Sequence, residues 1–136
     1  MYHVFEHTAD LGLHVEAESL PTLFAEAGQG LMAMIVANLA EVKPVEERVI
    51  TVAGEEVEYL FFDWLSELLY TFERERLLLV EFDVKLGAEG LTATVRGERM
   101  DAARHIMDHE VKAITYHGLL VEQIATGWQA EVIVDI

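Results

Sequence analysis

Cysteine is absent from this 136-residue sequence and proline occurs only twice. Disulfides and thiol nucleophiles are thereby excluded, and no linker or low-complexity stretch divides the chain, so a single domain over residues 1–136 is expected. Long apolar runs are missing as well. Residues 31–37 and 77–80 are among the longest, far short of the roughly 18 needed to span a bilayer. Residues 1–6 show neither the basic segment nor the apolar core of a secretion signal. The expectation is a cytoplasmic, redox-indifferent protein without membrane contact.

Positive charge is also scarce. Nine Lys and Arg face 25 Asp and Glu, giving a formal charge of −16 at pH 7. Nucleic-acid binding rests mainly on cations that neutralise phosphates. Here the nine are scattered without a basic run, so no direct nucleic-acid contact is expected. The acidic surplus suits multivalent cations and encounter with a basic protein surface, or it is simply a well-solvated exterior. Familiar enzyme templates are missing too: there is no G-x-S-x-G, Walker loop or G-x-G-x-x-G.

What is present is core material, with 52 % hydrophobic residues. Leu11, Leu13, Val15 and Ala17 alternate with polar neighbours, which predicts a half-buried strand over 11–18, with Asp10 on its polar face if the strand extends back. Ser19 is placed to cap a following helix, with Pro21 tolerated in the first turn. The stripe Leu20, Leu23, Phe24, Ala27, Leu31, Met34 and Ile35 fits that helix. Gly28 and Gly30 within it signal either close packing or a weak point. A short strand over 48–52 precedes the strongest periodicity, Val57 to Phe72 in steps of three and four, which predicts the central helix. Residues 80–86 and 91–96 alternate around a turn at 87–90 and predict a hairpin. Further strands are expected over 110–116, 119–124 and 128–134. The sum is an α+β fold: one mixed, mostly antiparallel sheet of about six or seven strands packed with two main helices.

Several polar groupings have chemical potential. Asp63 and Glu67, four apart on the helix, could hold a cation but read better as an exposed helix face. His105 and His109 have a spacing that suits zinc on a helix, but the segment lies between strands and reads as a polar connection. Asp10 and Asp135 stand at strand ends. If the fold brings the two ends together, these acids and the main chain or terminal carboxylate of Ile136 form a hard, oxygen-rich site for calcium, magnesium or manganese. Spacing alone leaves open that they are two solvated acids, and that Lys112 is an ordinary strand residue facing water.

His7-Thr8-Ala9-Asp10-Leu11-Gly12, Asp63-Trp64-Leu65, the 111–117 segment Val-Lys-Ala-Ile-Thr-Tyr-His and the closing Asp135-Ile136 together resemble the archease family over essentially the whole chain. That resemblance implies an archease-like fold and a protein cofactor, not itself an enzyme, that activates an RtcB-type RNA ligase in tRNA splicing and RNA repair. It implies promotion of ligase guanylylation and multiple turnover. Carried onto this chain, it implies a divalent metal ion at Asp10, Asp135 and Ile136. It further implies ligase activation through Asp10, Lys112 and Asp135, and a folding role for Asp63 and Trp64. Two other classes stand beside it: a chaperone-like modulator of RNA-processing proteins, and a metal-dependent hydrolase.

Overall fold

The computed structural model describes residues 1–7 and 10–136. Thr8 and Ala9, two residues of the N-terminal motif, lie outside the described residues. In chain order the elements are β1 (Tyr2–His7), β2 (Asp10–Ala17), α1 (Leu20–Ile35), a single 3₁₀ turn (Leu39–Glu41), β3 (Glu46–Ala53), α2 (Val57–Glu75), β4 (Leu77–Gly87), β5 (Gly90–Arg99), β6 (Ala113–Ile114), β7 (Leu120–Ile124) and β8 (Gly127–Asp135). The α+β class and the two main helices agree with the sequence reading.

The strands are divided between two antiparallel sheets. One has the order β1-β2-β8-β6, with β7 also paired to β8, and the other has the order β3-β5-β4. The reason for two sheets rather than one lies in α1, which packs against β4 on one side and against β1 and β2 on the other. Its two glycines mark these approaches. A Cβ at Gly28 would lie 2.9 Å from Phe82 of β4, and one at Gly30 would lie 2.5 Å from Leu13 of β2. Close packing, then, is what Gly28 and Gly30 supply.

Local chemistry sets the helix ends. Ser19 is extended (φ −135°) and its hydroxyl accepts the Thr22 N–H, with Pro21 in the first turn. At the other end of α2, Arg76 adopts the left-handed conformation (φ 54°) and donates its N–H to Phe72 O, closing the last turn. The two helices are joined through Trp64, fully buried, whose indole N–H donates to Phe24 O at 2.9 Å. Phe24 meets Phe61 edge-on at 5.2 Å. This gives Trp64 the folding role expected of it, while Asp63 and Glu67 lie on the exposed side of the helix. Both sheets and both helices contribute to one hydrophobic core.

Two segments differ from the sequence reading. Residues 2–7 form an edge strand that had not been expected. Conversely, of the strand expected over 110–116 only Ala113–Ile114 pairs with the sheet. Upstream, the chain is tied back to the end of α1 by Asp108 N–H to Ile35 O and His109 N–H to Met34 O. Downstream, Thr115 directs both its N–H and its hydroxyl to Ile133 O, and its Oγ1 accepts the His117 N–H. Thr115 thus still reaches β8, and its local bond to the His117 N–H turns the backbone out of the ladder beyond it.

Candidate functional site

The site is assembled by strand register. β2 pairs with β8 so that Asp10 is the direct partner of Asp135, and His14 that of Glu131. On the opposite edge of β8, Ala113 partners Asp135, and the Lys112 N–H donates to Asp135 O at 2.8 Å. Asp135 therefore stands between the segment carrying Asp10 and the segment carrying Lys112. Residue 10 and the C-terminal residues thus meet, whereas Met1 lies at the far end of β2, beside Glu16.

Asp10 and Asp135, as directly opposed residues, share one face of the sheet. It is the face bearing His14, whose Nδ1 lies 3.1 Å from Glu131 Oε2 and whose Nε2 lies 3.5 Å from Glu16. Between these two rungs sits Gly12, covered by the ring of Phe5 from β1; a Cβ there would lie 2.1 Å from Phe5 Cζ. The opposite face carries Leu11, Leu13, Val132 and Val134 in the core. Asp10 is half-buried, Asp135 and Lys112 are exposed, and Ile136 is half-buried against the core. Among the described residues, no three His, Asp or Glu side chains converge as a metal cage.

Charge is segregated between the sheets. The strands of the five-stranded sheet contain Glu6, Asp10, Glu16, Glu122, Glu131 and Asp135 but no Lys or Arg. The basic residues of the three-stranded sheet are largely committed: Arg48 pairs with Glu46 and Glu75, Arg96 with Glu47, and Arg99 with Glu46. Lys112 is thus a cation at the margin of an acidic sheet, and among the described residues it takes part in no ion pair.

Lys112 also borders a cleft of about 610 Å³ whose walls include Ile35, Phe72, Arg76, Met100 and Met107. The cleft is closed on one side by residues 100–112, and this connection is anchored by a knot that the sequence did not reveal. Glu98, 8 % exposed, accepts the Lys43 N–H and the Arg104 guanidinium. The Arg104 hydrogen bond, with help from the Lys43 N–H, holds the Glu98 carboxyl down at about 2 against an ordinary 4.5. His105 is buried beside Glu98, whereas His109 is exposed beside Asp108. The two imidazoles thus have separate surroundings, as befits a polar connection.

A family model described as the Archease protein family (MTH1598/TM1083) matches residues 2–136. Relatives named Protein archease include one from Pyrococcus abyssi, 36 % identical, covering 97 % of this chain and 96 % of the relative. Another, from Methanopyrus kandleri, is 38 % identical and covers 96 % of each. Among solved structures, the solution structure of Methanobacterium thermoautotrophicum protein 1598 superposes with a TM-score of 0.87 at 30 % identity, covering 99 % of this chain and 98 % of that one. A crystal structure from Thermotoga maritima, described as an archease and possible chaperone, has a TM-score of 0.68 at 23 % identity, with 100 % and 98 % coverage; at that identity it shows the shared fold alone.

Proposed function

Since the chain belongs to the archease family, we propose that it is a protein cofactor of an RtcB-type RNA ligase, promoting ligase guanylylation and repeated turnover. The observation that carries this reading is the register placing Asp10 opposite Asp135, with Lys112 bonded to the same residue. Directly opposed residues of a strand pair lie close enough for their carboxylates to share one divalent cation. The donors suit a hard cation such as calcium, magnesium or manganese: carboxylates of Asp10 and Asp135, main-chain oxygen at Ile136, and no soft ligand. Because the side chains alone supply two carboxylates, the remaining positions fall to water or to the partner. When bound, the cation neutralises the acid pair and offers a contact for phosphate oxygens.

The protein's own residues then have distinct tasks. Asp10 and Asp135 hold the cation, and exposed Lys112 meets a phosphate or carboxylate of the ligase. The acidic sheet steers the approach to the basic surface that an RNA ligase needs for its substrate. Activation requires that these contacts favour the guanylylation-competent state of the ligase over its other states.

The test is a ligation time course with the ligase limiting and GTP and manganese present. Asp10→Ala, Lys112→Ala and Asp135→Ala are each expected to remove stimulation while shifting Tm by no more than a few degrees. If all three stimulate normally, the assignment is wrong. Hydrolysis of a phosphate ester by the isolated protein with Mg²⁺ or Mn²⁺ would favour the hydrolase class.

A chaperone-like reading draws on exposed Ile106 and Met107 beside the cleft. It predicts that the protein suppresses light scattering by unrelated aggregating clients, and that Ile106→Ser with Met107→Ser abolishes the effect.

A further inference from the structure

A second recess lies on the β6–β7 side of the molecule. Glu56, Glu58 and Tyr59, at the start of α2, together with Tyr116 and Leu119 line a pocket of about 390 Å³. Tyr116 stacks one face on Phe62 at 3.8 Å between centroids and meets Tyr59 edge-on at 6.0 Å. Tyr59 and Tyr116 are nonetheless exposed residues, at 55 % and 57 %. Acids in the first turn complement the helix dipole, which accounts for the glutamates. It does not account for two large rings held open to solvent between them.

The Glu56 carboxylate makes no capping hydrogen bond to its own helix. Glu58 Oε2 accepts the Val121 N–H at 3.4 Å, which orients it at the rim, and among the described residues neither glutamate has a cation partner. Aromatic faces bordered by carboxylates fit a planar cation, because guanidinium stacks on a ring while donating hydrogen bonds in its plane. A phosphate backbone would be repelled by the same glutamates. Along the chain the pocket follows the site described above, since Tyr116 comes two residues after the β6 pair that joins β8 at Asp135.

We propose that this pocket receives an arginine side chain projecting from a basic surface of the partner protein, anchoring it while the Asp10, Asp135 and Lys112 edge acts. The proposal rests on the cofactor reading and deepens it: the pocket contributes docking, and the acidic edge contributes activation.

The test has two arms. In the first, the full chain is titrated with acetyl-Gly-Arg-Gly-Arg-Gly-amide, with lysine and glutamate counterparts as comparisons, while the tyrosine ring resonances are followed by NMR. The arginine peptide is expected to shift Tyr59 and Tyr116 rings most, with binding weakened about five- to tenfold by Tyr59→Ala or by Glu56→Gln with Glu58→Gln. Both alter exposed side chains, and unchanged Tm serves as the folding check. Glu73→Gln, at the far end of α2, removes a charge and leaves binding within about twofold. Equal shifts from the glutamate peptide, no shift at millimolar arginine peptide, or an equal loss with Glu73→Gln would overturn the proposal.

In the second arm, Tyr59→Ala is expected to raise the concentration giving half-maximal ligase stimulation about fivefold with the plateau unchanged. An unchanged midpoint overturns the proposal. A wild-type protein that stimulates no ligase counts against the cofactor reading instead, and the peptide arm then decides the pocket on its own.

Discussion

Glu98 shows how much one side chain organises. Its carboxylate takes the Arg104 guanidinium and the Lys43 N–H, and Arg104 reaches on to Glu41 O. His105 Nδ1 accepts the Asp101 N–H at 2.9 Å, so in the neutral ring the proton resides on Nε2, which faces Glu98 at 3.6 Å. The Glu98 carboxyl titrates at about 2 when folded and at 4.5 when free. Its stabilisation is therefore full above about pH 4.5 and is lost as pH falls through 2. Glu98→Gln is expected to lower stability at pH 7 by about 1.5–3 kcal/mol, the range for hydrogen bonds to a charged group, and to flatten the acid limb. Urea unfolding between pH 7 and 3 measures both, and an acid slope equal to that of wild type would refute the assignment. Nothing in the sequence distinguished Glu98 from the solvated acids around it, because its partner Arg104 lies beyond the end of β5 and the alternation of a strand does not report a turn.

At the scale of elements, the close fit between β5 and β4 permits a second test. A Cβ at Gly97 would lie 1.7 Å from Leu78 O and 2.8 Å from Leu79 Cα, next to the register shift between Leu79 and Glu81. The obstruction is backbone, which no rotamer change relieves. Gly97→Ala is expected to cost more than about 2 kcal/mol, read as a fall in the denaturant midpoint at constant m-value. The same scale explains what was legible. The helices were, because 16 and 19 residues sample the 3.6 period several times. The β4–β5 hairpin was, because alternation and turn agree. The strand expected over 110–116 failed because its alternation has too little partner to pair with, and β1 was missed because six residues at a sheet edge carry little pattern. The split into two sheets has no local signature, since α1 imposes it from between them. At the site, Asp10, Lys112 and Asp135 could be singled out by residue type and motif. Their meeting depends on a register across more than 100 residues of chain, which no local spacing encodes.

For the whole molecule, a net charge of −16, together with a five-stranded sheet whose strands carry acids and no Lys or Arg, sets the response to cations. If Asp10 and Asp135 hold a divalent ion, an ion at 100 times its Kd adds about 2.7 kcal/mol to stability, and Tm rises by several degrees. Millimolar Ca²⁺ or Mn²⁺ is expected to raise the wild-type Tm in scanning calorimetry and to leave Asp10→Ala with Asp135→Ala nearly unmoved. An equal rise in both would assign the effect to diffuse screening. The arrangement of β8 has a consequence for exchange experiments. The strand is held along one edge by β2. Along the other it is held in turn by β7, Thr115 and β6. Release of any single neighbour leaves much of its ladder intact, so deuterium uptake over residues 128–134 will follow global opening. Isotope labelling of those amides before and after a partner is added would then read how far docking at one margin stiffens the entire body.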